Sequence, residues 1–270
     1  MYCSCDPLIG KDGQEIPGAT IAPVPRGRIL EKLNEYLDRN DTAAAERHLL
    51  YWLEEAVLGG DLRGQLMLRN ELTGHYRKAG DRDRALENAE AALRLVGETG
   101  FEDTLTAAVT RINAATALSA FGEHARALPL FERARQICEN GQGVQPETLG
   151  GLYNNMGLAN AALERYDEAL GLFEAALARM EEVPGGELER AITCLNMADA
   201  LSGKLGMEAA EERVRALVER AADLLETPEL PRDGYYAFVA EKCAPSFEYY
   251  GYFLEAERLR GEAKRIYEGA

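Results

Sequence analysis

The chain has 270 residues, with 46 acidic against 30 basic side chains and a formal net charge of −16. Its 46% hydrophobic and 28% charged content is that of a folded protein, and a pI near 4.8 argues against a general nucleic-acid or anionic-membrane surface. No apolar run reaches the roughly 18 residues of a spanning helix. The start, Met1-Tyr2-Cys3-Ser4-Cys5-Asp6, lacks the basic and apolar segments of a signal peptide. Five cysteines, three of them far apart, do not make a disulfide scaffold. A soluble, cytoplasmic protein is expected.

Residues 1–25 carry Pro7, Gly10, Gly13, Pro17, Gly18, Pro23 and Pro25, which predict an irregular arm. It dangles, packs along the first hairpin, or lies in a groove as an internal pseudo-ligand. Cys3 and Cys5 form an isolated pair; tetrahedral zinc needs four ligands and no second close pair exists, so two reduced thiols are expected.

Residues 26–270 repeat. Alanines that open amphipathic helices stand at Ala45, Ala85, Ala127, Ala169, Ala210 and Ala256, at intervals of 40, 42, 42, 41 and 46. The repeats fall near 27–60, 61–100, 101–143, 144–186, 187–230 and 231–270. Each predicts two helices: Leu149, Leu152, Tyr153, Met156 and Asn160 recur at helical spacing, as do Ala169, Leu172, Phe173, Ala176, Leu177 and Met180. Joints such as Lys78-Ala79-Gly80-Asp81 and Ala120-Phe121-Gly122-Glu123 place a glycine where a helix ends in a left-handed residue. No period-two β-branched stretch occurs, so the fold is expected to be all-α. Small residues (Ala85, Ala92, Ala134, Ala176) let helices approach, and Tyr76, Leu118, Phe131 and Phe173 fill the space between successive pairs. Such a hairpin cannot bury its apolar face alone, so stacking supplies the core. Pro129 lies early in a second helix, where a missing N–H costs little, while Pro245 is expected to kink or end its helix.

Enzyme signatures are lacking. His48, His75 and His124 stand on different repeats without a metal-spaced partner, and no nucleophile elbow, phosphate loop or dinucleotide fingerprint occurs. A non-enzyme with no cofactor and no metal is expected. Cys138, Cys194 and Cys243 sit at apolar helix positions, as does Trp52, and are expected in the core.

The residues that carry a family likeness are now in place. Tyr153, Met156, Gly157, Ala169, Phe173 and Ala176, with Leu72, Tyr76, Gly80, Ala85 and Ala92 and with Ala115, Leu118, Gly122, Ala127, Phe131 and Ala134, resemble the tetratricopeptide repeat. The likeness covers about 27–269. The period near 42 exceeds the usual 34 or so and is similar to the long repeats of kinesin light chains and of bacterial peptide-sensing regulators. The resemblance implies a right-handed superhelical solenoid of about six antiparallel helix pairs, with the first helix of each pair lining a concave groove.

Counted from the matched glycine and tyrosine positions, Asn113, Asn155 and Asn196 fall on equivalent sites, with Asn154 beside Asn155 and Asn70 in the second unit. An Asn amide carries a donor and an acceptor and can pair with the backbone of an extended peptide. The family uses asparagines there in that way. The alternative is that they fix the stacking angle between helices. Val109, Ile112, Leu158, Ile192 and Leu195 would supply side-chain pockets. Charge on this face is mixed: Arg77 and Lys78 at one end, Glu71 and Asp199 along it, Glu241 and Lys242 at the far end. Only Arg77 and Lys78 approach what a clamp for a terminal carboxylate requires.

Aromatics concentrate in the last unit, where Tyr249, Tyr250, Tyr252 and Phe253 form a candidate interface for a partner or a second copy of the chain. Second helices carry Glu168, Glu174, Glu181, Glu182, Glu211 and Glu212, an expected solvated convex face. The function expected is a protein- or peptide-binding module, with no nucleic-acid or membrane partner. The alternatives are a scaffold acting through the aromatic repeat and acidic face, and a peptide-signal sensor.

Overall fold

The computed structural model describes residues 7–9, 15–20, 22–39, 41–141 and 143–269, the first two stretches in backbone only. Those first stretches are two short strands, β1 (Pro7–Ile9) and β2 (Glu15–Thr20). They pair antiparallel, Pro7 opposite Thr20 and Ile9 opposite Glu15, with an irregularity between. The turn-forming residues of the arm did not predict this pairing, because neither segment shows alternation of its own. Cys3 and Cys5 lie outside the described residues.

The rest of the described chain is helical, as expected for an all-α protein, and it divides into two compact units, 1–141 and 142–270. The first holds α1 (Arg26–Asp38), α2 (Thr42–Leu58), α3 (Leu62–Lys78), α4 (Arg82–Thr99), α5 (Leu105–Ala120) and α6 (His124–Asn140). Each of these packs on the next, and the first helices α3 and α5 also touch. The second unit holds α7 (Pro146–Ala162), α8 (Tyr166–Glu181), α9 (Glu187–Leu205), α10 (Met207–Leu225), α11 (Gly234–Tyr249) and α12 (Phe253–Glu268). There α7 pairs with α8, α9 with α10 and α11 with α12, while the first helices α7, α9 and α11 pack in turn.

Local chemistry sets the ends of these helices. Asp41, Asp61 and Asp81 accept the backbone N–H three residues on, capping α2, α3 and α4. The joints inside the pairs from α3 onward turn through a residue of positive φ: Gly80 (φ 74°), Gly122 (80°), Gly206 (78°) and Gly251 (84°). Glu164 holds the same place between α7 and α8 at φ 59°, which a Cβ makes costly. Glu164→Gly is therefore expected to raise stability by about 0.5–1 kcal/mol, read as a higher thermal midpoint of the full chain.

The alanines do what their spacing implied. Ala45, Ala85, Ala127, Ala169 and Ala210 are fully buried and Ala256 nearly so. Phe131 and Phe173 are fully buried beside them, and Cys138, Cys194 and Cys243 are buried free thiols. Trp52 is half-buried against the α1–α3 core. Pro245 neither ends nor interrupts α11, which runs on to Tyr249. Tyr236, Val239, Cys243 and Phe247, all buried on either side of it, offset the lost N–H. Pro129 is the sixth residue of α6, past the first turn, so its missing N–H withdraws an intrahelical bond after all. Among the described residues no helix is long and apolar enough to cross a membrane.

Candidate functional site

The first helices of each unit carry the predicted asparagines, and a shared register decides what each can do. Asn70 and Asn154 stand eleven residues before Asp81 and Arg165, whose carbonyls accept the Ala85 and Ala169 N–H groups. Asn113, Asn155 and Asn196 stand ten before Glu123, Arg165 and Gly206, whose carbonyls accept the Ala127, Ala169 and Ala210 N–H groups. Asn113, Asn155 and Asn196 thus share one register, Asn70 and Asn154 share the one beside it, and the buried positions of α7 recur on α9 after the same 41 residues that separate Asn155 from Asn196.

In residues 1–141, the Asn70 amide donates to Thr110 Oγ1 at 3.0 Å, joining α3 to α5. Thr110 is fully buried and donates to the Thr106 carbonyl at 2.9 Å. Asn70 therefore ties two repeats together. Asn113 on α5 is half-buried, and its amide has no protein hydrogen-bond partner among the described residues. Arg77 on α3 is half-buried with no ion-pair partner among the described residues, and burial lowers its pKa. Glu71 on the same helix has its pKa raised by burial, with Lys78 pulling the other way. Lys78 is exposed. Val109 stands 43% exposed on α5 beside half-buried Ile112, as a side-chain pocket requires.

In residues 142–270, Asn154 Oδ1 accepts from Asn196 Nδ2 at 2.9 Å, and Thr193 Oγ1 lies 3.2 Å from the same oxygen. One group from each amide thus joins α7 to α9. The Asn154 N–H₂ and the Asn196 carbonyl, on half-buried residues, are left without protein partners among the described residues. Asn155 is half-buried and engaged. Leu158 is 38% exposed and Ile192 half-buried, but Leu195 is buried in the core of this unit and forms no pocket.

Asp199 is exposed on α9 and accepts from the Tyr250 hydroxyl at 2.7 Å. Desolvation raises the Asp199 pKa, against the Tyr250 bond that lowers it. The Tyr250 phenol is raised in turn by burial and by that carboxylate. Lys242 is exposed on α11. Of the aromatic interface candidates, Tyr249 and Phe253 are 69% and 65% exposed. Tyr250 and Tyr252 pack instead against the core of their unit, Tyr252 reaching Glu219 at 3.5 Å.

Three residues went unrecognised. Thr110 and Thr193 complete the asparagine contacts from buried positions. Glu189 belongs to a spacing readable in the sequence: with Ile192, Asn196 and Asp199 it forms a stripe of three- and four-residue steps on α9. The acidic residues Glu168, Glu174, Glu181, Glu182, Glu211 and Glu212 are exposed on α8 and α10 or at their ends. Among the described residues, no group of His, Cys, Asp and Glu side chains is disposed to hold a metal ion.

Comparison with known proteins follows this geometry. No curated protein matches the chain. Among solved structures it is similar to BtubC (BKLC) from P. vanneervenii, at 21% identity and a TM-score of 0.62, over 76% of this chain and 83% of that one. It is also similar to nearly identical TPR-like repeats of a kinesin light chain-like protein from Podosopora anserina, at 18% identity and a TM-score of 0.52, over 75% and 94% of the two chains. A variant of those repeats gives 0.54 at the same identity. These likenesses show the fold. The tetratricopeptide repeat family model matches residues 65–140 and 148–223. The chain belongs to the tetratricopeptide repeat family.

Proposed function

We propose that the chain is a non-enzymatic protein-binding module that holds an extended peptide or a partner's tail along its first-helix faces. The observation that carries this reading is the Asn154–Asn196 pair on half-buried residues, which is bonded across two helices yet leaves one donor and one acceptor without protein partners among the described residues. An extended backbone needs that pair of groups. Asn113 offers both of its own, and exposed Val109 and Leu158 supply apolar contact for side chains. Arg77, Lys78, Asp199 and Lys242 add charge to the same helices, so side chains of either sign find partners.

Peptides selected from a random library on the full chain provide the test. Asn113→Ala is expected to weaken the selected peptides about tenfold, the worth of one hydrogen bond to a half-buried amide, without moving the thermal midpoint. Asn196→Ala is expected to weaken them similarly and to cost about 1 kcal/mol of stability, because it also unties α9 from α7. Affinity unchanged in both variants would overturn the reading. The exposed Tyr249, Phe253 and Leu254 (69%, 65% and 84%) support a second use as a scaffold surface. Sedimentation as a monomer throughout the micromolar range would remove its self-associating form.

A further inference from the structure

Two tyrosine–carboxylate pairs in this protein are completed by an arginine. Tyr76 donates to Glu46 at 2.9 Å; the Arg84 guanidinium lies 4.3 Å from the centre of the Tyr76 ring and pairs with Glu46 at 2.5 Å. Tyr236 donates to Glu262 at 2.5 Å; the Arg232 guanidinium lies 4.1 Å from the Tyr236 ring centre and 3.7 Å from Glu262. The ring face attracts the cation and the carboxylate neutralises it, so each contact strengthens the other.

Two similar pairs stand on the first-helix face of residues 142–270, and no arginine of the chain completes them among the described residues. Tyr235 on α11 donates to Glu189 on α9 at 2.6 Å. Tyr250, at the end of α11, donates to Asp199 at 2.7 Å. Neither carboxylate forms an ion pair among the described residues, and each is bonded through one oxygen only. Aromatic surface is open beside them: Tyr235 and Phe238 stack at 6.4 Å and 21°, at 50% and 44% exposure. Tyr249 lies edge-on to Tyr250 at 5.0 Å and is more exposed still. Between the pairs along α9 lies Asn196, with its unpartnered carbonyl. With a net charge of −16 the whole chain favours a cationic partner.

We propose that the α9–α11 face binds a basic segment of a partner protein through two arginine side chains, one seated at Tyr235 and Glu189, the other at Tyr250 and Asp199. This rests on the peptide-binding reading above and names its ligand. Glu189 and Asp199 are ten residues apart on one helix, about 15 Å at about 1.5 Å per residue. An extended segment rising about 3.3 Å per residue covers about 13 Å in four residues, and that even step keeps both arginines on one side of it while their long side chains reach the rest. The arginines should therefore be spaced by that interval.

The test uses the full chain and synthetic twelve-residue peptides of glycine and serine carrying two arginines four positions apart. Companion peptides carry two lysines at those positions, two adjacent arginines, or two glutamates. The spaced-arginine peptide is expected to bind at least fivefold tighter than the lysine or adjacent-arginine forms and far tighter than the glutamate form. Glu189→Gln together with Asp199→Asn keeps acceptors for both tyrosines and is expected to weaken binding at least tenfold. Glu211→Gln with Glu212→Gln removes the same charge from α10 and is expected to change it less than twofold. Equal losses in the two double variants, or equal binding of all four peptides, would overturn the proposal in favour of general charge attraction. If the spaced-arginine peptide fails while library-selected peptides still bind through Asn113 and Asn196, this proposal falls and the peptide-binding reading stands. If no peptide binds, both fall.

Discussion

Phe173→Ala is expected to destabilise residues 142–270 by about 3–5 kcal/mol, the range for emptying a fully buried aromatic site. Phe173 on α8 is fully buried in the core that runs from α8 to α12. Its ring lies against the backbone of α7: a Cβ built on Gly157 would meet Phe173 Cε1 at 2.5 Å. Glycine at 157 and phenylalanine at 173 are two halves of one contact, and Gly157 has no side chain of its own to fill the cavity left by alanine. Urea unfolding of the full chain measures the loss. Gly157→Ala should damage the same contact from the other side, by about 1–3 kcal/mol of overpacking. A loss below about 1 kcal/mol for Phe173→Ala would mean that the site closes up and that the pairing of α7 with α8 does not depend on this ring.

The second large effect is expected at Asp61, where Asp61→Ala should cost about 2–4 kcal/mol in residues 1–141. Asp61 is 5% exposed. Its Oδ1 accepts from the Gly64 N–H at 2.9 Å, capping α3, and its Oδ2 accepts from the Val24 N–H at 3.0 Å. Losing the cap costs about 1 kcal/mol, and leaving the buried Val24 N–H unpaired adds about 1–3. The Ala22 N–H bond to the Gly59 carbonyl at 3.0 Å anchors the same segment. Hydrogen exchange at Val24 should speed up strongly in the variant while exchange in α5 stays slow. Asp61→Asn retains acceptor capacity for one of the two N–H groups and should lose roughly half as much. Asp81→Ala, an exposed cap with no second role in holding distant backbone, should cost about 1 kcal/mol.

The helix pairs were legible because their chemistry repeats: a small residue at each close approach, a ring above it and a left-handed glycine at the joint. The asparagine register was legible too, and the reason is local. The alanines that open α6, α8 and α10 stand fourteen residues after Asn113, Asn155 and Asn196 alike. In the third case the joint is one residue shorter, because Gly206 both ends α9 and begins α10. The alanine keeps the register and the turn residue does not: buried Gly157 and Asn160 on α7 recur as buried Ala198 and Leu201 on α9, 41 residues on, just as Ala169 recurs as Ala210. The roles of Asn70 and Asn154 in joining helices were open in the sequence, because the partners that decide them, Thr110 and Asn196, are 40 and 42 residues away. The α9 stripe of Glu189, Ile192, Asn196 and Asp199 could have been found by spacing alone. What spacing does not show is that Tyr235 and Tyr250 reach across from α11 to hold the two carboxylates.

Site-directed photocrosslinking tests the central claim most directly. A benzophenone amino acid is placed in turn at Val109, at Leu158 and, as a control, at Glu174 on a second helix, and a labelled library-selected peptide is added. Val109 and Leu158 are 43% and 38% exposed on first helices, and Glu174 is exposed on α8, so all three positions accept the probe. The account predicts peptide adducts at Leu158, at Val109 or at both, suppressed by excess unlabelled peptide, and none above background at Glu174. Competable adducts at Glu174 with none at Leu158 or Val109 would place the ligand on the second-helix surface and contradict the claim.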